Sequence, residues 1–190
     1  MQISVFIATS LDGFIARANS DLDWLPQDQS EDHGYNAFFS SIDTMLMGRK
    51  TYETILGFSP FPYEGKRVVV CSRTLTAAPD HLIGKLEFRA EPLPDLVKML
   101  KADGAKHIYA DGGQIITALL EAGLVNRLVL TRVPVLLGSG IPLFGALSAD
   151  ITLQHIETKS FVNGLVQSVY EIKPQDTQLE TIKSLIDFGL

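Results

Sequence analysis

The chain has 190 residues, 46% of them hydrophobic, and a net charge of −6 at pH 7. That is one domain's length with enough apolar content for a sizeable core, and its acidic balance argues against a nucleic-acid partner, which needs a basic face. A lone cysteine, Cys71, excludes an internal disulfide and thiolate metal clusters and fits a reducing, cytoplasmic setting; no apolar run approaches the ~20 residues that cross a membrane, and the N-terminus lacks the basic start of a signal peptide.

The first element is the apolar run ISVFIAT (3–9), rich in β-branched residues and predicted as a strand. In EDHGYNAFFSSI (31–42), Tyr35, Phe38, Phe39 and Ile42 fall at i, i+3, i+4 and i+7, one face of a helix. TMLM (44–47), RVVVC (67–71), LEFR (86–89) and HIYA (107–110) read as further strands. Between them KTYETIL (50–56), LPDLVKMLKADG (93–104) and GQIITALLEAGL (113–124) carry helical periodicity, and Gly104 and Gly123 suit helix ends. This alternation predicts a mostly parallel sheet covered on both faces. The pattern then changes. NRLVLTRVPVLL (126–137), ITLQHIETKSF (151–161) and GLVQSVYEI (164–172) lack long helices between them, and VNG separates the last two. An antiparallel hairpin is predicted to finish the sheet edge. Beyond Pro174, Thr177 with Glu180 forms a capping-box pattern, and Leu179, Ile182 and Ile186 give a terminal helix one apolar stripe.

Three strand ends carry anion-friendly groups. At the corner Asp111, Gly112, Gly113, Gln114, Ile115, a helix begins with unpaired backbone N–H groups and a partial positive charge. Two glycines there predict close approach of an anion, with residues 112–115 offering N–H groups. The corner Gly48, Arg49, Lys50, Thr51 has the same architecture, with two cations and a hydroxyl, and the strand ending at Cys71 is followed by Ser72 and Arg73. Ligands of open α/β sheets bind at the carboxyl ends of strands, and these corners suit a ligand with several phosphates, such as a dinucleotide.

The segments VFIATSLDGFIA, MGRKTYE, VVVCSR and DGGQIITALLEAGLVNRLVLTRVPVLLGSGIPLF resemble the dihydrofolate reductase-like superfamily, above all the branch containing the reductase domain of bacterial riboflavin biosynthesis and its stand-alone relatives. The resemblance implies a three-layer α/β/α fold over residues 1–173; the tail, 174–190, lies outside it and reads as a C-terminal helical extension. It implies an NADPH-dependent reductase of a small heterocyclic or carbonyl substrate, most like 5-amino-6-(5-phosphoribosylamino)uracil reductase. Dihydrofolate reduction, a phosphate-ligand enzyme without nicotinamide, and a non-catalytic dinucleotide-binding protein are the alternatives. In such proteins Gly112–Gly113 takes the cofactor pyrophosphate, Arg49 to Thr51 contact phosphates, Ser72 and Arg73 meet the 2′-phosphate, and Ala8 and Ile15 flank the nicotinamide. An Arg suits the 2′-phosphate because its planar fork donates two charge-assisted hydrogen bonds.

By the same resemblance, Trp24 and Pro26 match a pattern that precedes a proton-donating carboxylate. Distance from Pro26 selects Asp28, and distance back from MGR selects Asp32; Glu31 is a third choice. Asp32 is preferred, on the Tyr35–Phe39 side of its helix. A phosphoribosyl substrate would need a further basic site, for which Arg17, Arg132 and Lys159 are candidates. Relatives of this branch pair as homodimers through their C-terminal strands.

Overall fold

The computed structural model describes residues 1–26 and 32–172. The predicted terminal helix, the extension 174–190, and Asp28 and Glu31 lie outside the described residues. Elements run in the order β1 (Gln2–Ser10), β2 (Phe14–Ala16), α1 (Tyr35–Ser41), β3 (Thr44–Gly48), α2 (Arg49–Ile55), β4 (Arg67–Cys71), β5 (Leu86–Arg89), α3 (Leu93–Ala102), β6 (His107–Asp111), α4 (Gly113–Glu121), β7 (Arg127–Val133), β8 (Ile141–Pro142), β9 (Leu153–Ser160) and β10 (Val166–Ile172).

An eight-stranded sheet of order β5-β4-β3-β6-β1-β7-β10-β9 forms the middle layer. Its neighbours from β5 to β7 are parallel, while β10 pairs antiparallel with both β7 and β9. The predicted sheet and hairpin are both present. Alternation along each strand sorts side chains to two faces. Ile3, Val5, Leu46, Val69, Ile108 and Ala110 pack under α3 and α4, whose Leu96, Leu100, Ile116 and Leu119 are all but inaccessible. Burying each such aliphatic side chain is worth ~1.5–3 kcal/mol, so these helices are held by packing. Met45, Met47, Val68, Val70 and Tyr109 face the other way, toward α1 and α2.

Helix α1 starts later than the periodicity predicts. His33 and Gly34 have φ of 50° and 83°, left-handed conformations that a right-handed helix cannot include. No α1 residue is fully buried; its rings hold it instead. Phe38 stacks on Phe6 with centroids 4.9 Å apart and meets Tyr109 edge-on at 5.0 Å, and Tyr35 meets Phe6 at 5.6 Å.

A second sheet, β2 with β8, was not visible as two strands. It ties the loop after β1 to the segment LLGSGIPLF. The Asp12 carboxylate accepts from the Gly138 N–H at 2.7 Å and from Leu137 N–H, and Leu143 N–H donates to Gly13 O at 3.0 Å. Among the described residues no helix is long and apolar enough to cross a membrane.

Candidate active site

A cavity of about 700 Å³ opens at the carboxyl ends of β4, β3, β6 and β1. This volume lies within the ~300–1,000 Å³ of small-molecule and cofactor sites. Ala8, Ile15, residues 48–51, Ser72, Arg73 and residues 111–115 all line it. Every cofactor-binding residue read from the sequence is therefore brought to one place.

The two strand-to-helix corners abut. Gly112 has φ 95°, and a Cβ on it would stand 2.6 Å from Thr51 Oγ1; a Cβ on Gly48 would stand 3.3 Å from the Ile115 side chain. Gly113 has a different reason to be glycine than the one expected. A Cβ there would meet Pro142 O at 2.5 Å and Leu143 O at 3.2 Å, so the main chain around β8 occupies that side of the corner. The expected N–H set also changes. Gly112 N–H donates to Asp111 Oδ1 at 2.7 Å and is already engaged. The N–H groups of Gly113, Gln114 and Ile115 precede the first intrahelical bond, Ile116 N–H to Gly112 O, and no side chain caps them. They remain the donors α4 can offer.

Ser72 shapes its turn. Its hydroxyl accepts from Leu75 N–H at 3.0 Å and Thr74 N–H at 3.2 Å. Arg73 stands exposed at the cavity mouth with no side-chain partner among the described residues. Arg49 pairs with Glu53 at 3.3 Å, with both side chains about half exposed. Such a pair is weakly held and leaves the guanidinium available to an anion.

Alternation along β6 places His107, Tyr109 and Asp111 on the α1–α2 face, opposite Ile108 and Ala110. Asp111 is half-buried on the cavity wall, and its desolvation pushes the carboxyl up to about 6, against the pull of the Gly112 N–H. Burial likewise raises Tyr35, Tyr63 and Tyr109, each of which also feels the charge of Asp111. The Tyr109 hydroxyl is engaged, donating to Phe6 O at 2.6 Å. The Tyr63 hydroxyl has no hydrogen-bond partner among the described residues, and Tyr63 lines the cavity. A carboxyl poised near neutrality beside a cleft is what a proton donor needs.

Asp32, the preferred acid, is placed differently. It is exposed and does not line the cavity. Its carboxylate accepts from the Gly34 and Asn36 N–H groups, both at 3.0 Å, and these bonds hold its pKa below the usual carboxylate value. It caps α1 and stays ionised, the opposite of a proton donor. His33, beside it, packs edge-on against Phe161 at 4.5 Å, and its carbonyl accepts from Gln167 Nε2 at 3.1 Å. The start of α1 is thereby docked on the β9–β10 hairpin. Sequence reading took Asp111 for a cofactor contact and overlooked Phe6, Tyr63 and Tyr109. The period of two in HIYAD was the available signal for Tyr109 and Asp111.

Comparison with known proteins agrees with this architecture. The sequence profile of the RibD C-terminal domain matches residues 2–167. YwjB of Bacillus subtilis strain 168, an uncharacterized protein, is 34% identical over 161 residues, which cover 83% of this chain and 90% of YwjB. The crystal structure of a putative riboflavin biosynthesis protein from Shewanella sp. PV-4 is 37% identical, with a TM-score of 0.85 over 91% of this chain and 99% of that one. A deaminase/5-amino-6-(5-phosphoribosylamino)uracil reductase from Thermotoga maritima shares the fold, with a TM-score of 0.67 at 14% identity, and this chain covers 56% of it. With a match spanning nearly all the described residues, the chain belongs to the RibD C-terminal domain family.

Proposed function

We propose that the protein is an NADPH-dependent reductase that delivers a hydride and a proton across a C=O or C=N bond of a small substrate. One observation carries the reading: two abutting strand-to-helix corners, the Arg73 turn and the half-buried Asp111 share a single cavity. The donor set fits the cofactor. N–H groups of residues 113–115 suit a pyrophosphate, Arg49 and Lys50 suit neighbouring phosphate oxygens, and Arg73 suits the 2′-phosphate. Ala8 and Ile15 give an apolar wall for the nicotinamide ring.

When bound, the reduced nicotinamide supplies the hydride. Asp111 gives its proton to the substrate oxygen or nitrogen that receives the electron pair of the opened double bond, and recovers a proton from solvent. A ligand filling the cavity mouth removes further water from Asp111, which favours its protonated form. Dihydrofolate reduction is the weaker reading, because the acid preferred at the start of α1 is spent as a helix cap. The reading includes a homodimer formed along β9, an exposed edge strand that presents Leu153 and Ile156 at 37% and 42% exposure.

Titration with NADPH and NADH tests the cofactor assignment. Arg73→Ala is expected to weaken NADPH by ~1.5–3 kcal/mol, the worth of hydrogen bonds to a charged group, and to leave NADH unchanged. Equal loss for both cofactors would remove the 2′-phosphate role, and no binding of either by the unaltered protein would end the reductase reading.

A further inference from the structure

Charge and aromaticity are segregated within the cavity. Among the described residues, the cations lining it are Arg49, Lys50 and Arg73. All three follow β3 or β4, at one end of the opening. At the other end, β6 and β1 contribute rings and a carboxyl, beside the α4 N–H groups that the cofactor reading gives to the pyrophosphate. β1 and β6 run parallel with Ser4 beside Tyr109, and two residues further along stand Phe6 and Asp111, on the same face. Leu22 and Leu25 from the loop after β2, and Phe58 and Tyr63 from beyond α2, also line the cavity.

Among the described residues, the candidate cations for a phosphoribosyl substrate are elsewhere. Arg17 pairs with Asp23 at 2.6 Å, and Lys159 pairs with Glu157 at 3.2 Å on the outermost strand. Arg132 is exposed on β7, and none of the three lines the cavity. With the N–H groups of residues 113–115 taken by the cofactor, a second phosphate at the β6–β1 end would meet the Asp111 carboxyl and aromatic faces among the described residues. The faces carry negative quadrupoles, and neither they nor the carboxyl offers it a cation. A flat, uncharged ring finds the complement of each: apolar walls for its faces, and a carboxyl and the Tyr63 hydroxyl for polar atoms on its edge.

We infer that the substrate is an unphosphorylated, planar heteroaromatic or conjugated carbonyl or imine compound, held between the Phe6–Tyr109 wall and the Leu22, Leu25 and Phe58 side chains, with its polar edge at Asp111. This rests on the cofactor reading above, in which NADPH takes Arg49, Lys50 and Arg73. It departs from the phosphoribosylamino-uracil after which the Thermotoga relative is called a reductase.

The test uses the full chain saturated with NADPH, saturation being checked first by the quenching of protein fluorescence. 5-Amino-6-(5-phosphoribosylamino)uracil and its phosphate-free nucleoside are compared by calorimetry. A panel of isatins, ortho-quinones and dihydropterins is followed by NADPH oxidation and by calorimetry. The expected result is that removing the phosphate leaves affinity unchanged or tighter, and that at least one panel compound binds and is reduced with at least ten times the kcat/KM of the phosphorylated compound. A phosphate that tightens binding ten-fold or more overturns the inference. So does a panel of which no member binds the NADPH-loaded protein. Failure to saturate with NADPH is a separate result, which removes the cofactor reading and this inference with it.

Discussion

Replacing Asp111 by Asn should make the protein more stable and less active. A carboxyl that ordinarily titrates near 3.8 is pushed up to about 6 here. That gap of about 2 pKa units, at 1.36 kcal/mol each, disfavours the ionised form by roughly 3 kcal/mol. With its folded pKa raised, Asp111 contributes stability that is fully present below pH ~3.8 and lost as pH rises through about 6. Asn stands in for the neutral acid, and its amide oxygen can still accept from Gly112 N–H. The variant should therefore match the parent near pH 4, pull ahead between pH 4 and 6, and lead by on the order of 2–3 kcal/mol above that. For a chain this size that corresponds to roughly 5–10 °C in Tm. Urea unfolding of both proteins from pH 4 to 8 measures it. Hydrogen-bonded carboxylates such as Asp32 and Asp43, and the half-buried His107, have lowered pKa values and lose stability as pH falls; they are common to both proteins and cancel in the difference. Turnover should drop ~10²–10⁴-fold, and the loss of parental activity above pH 6 should vanish from the variant's profile. A variant no more stable than the parent at pH 7.5, or one with parental turnover, refutes the placement of Asp111 as a desolvated proton donor.

Gly113→Ala should destabilise by ~1–3 kcal/mol through overpacking, because the added methyl meets the main-chain oxygens of Pro142 and Leu143; chemical denaturation measures this, and a neutral result would mean the β8 segment yields freely. Asp32→Ala should lower Tm modestly by uncapping α1, with kcat within a few-fold of the parent and its pH dependence unmoved; a lost acidic limb would return the proton-donor role to Asp32. Ile156→Lys should convert a dimer to a monomer in multi-angle light scattering at unchanged Tm of the isolated subunit, whereas a parent that is already monomeric excludes pairing along β9.

Much of the fold was legible because its signals are local. Short apolar runs bounded by helical periods specified β3, β4 and β6, and VNG specified the hairpin. The β2–β8 pair was not, since a run such as Ile141–Pro142 is too short to show a period and exists only where tertiary contacts hold it. The start of α1 was misplaced because the apolar spacing of Tyr35, Phe38 and Phe39 says nothing about the backbone at His33 and Gly34. For the site, the residues of the corners were readable but their reasons were less so. Gly113 reads as room for a ligand, yet its neighbour is a chain segment 29 residues on. For the acid, distances from Pro26 and from MGR pointed to Asp28 and Asp32, whereas the proposal of Asp111 rests on desolvation, a property of the folded environment.

The abutment of the two corners also bears on how fast and how tightly the proposed dinucleotide would be caught. Thr51 against Gly112 and Ile115 against Gly48 set the spacing between the two sets of donors before anything arrives. A ligand that bridges them has no loop to organise, so little conformational entropy is surrendered on docking. Mutations that loosen this contact, even ones that spare every donor, should show up as faster dissociation rather than slower capture.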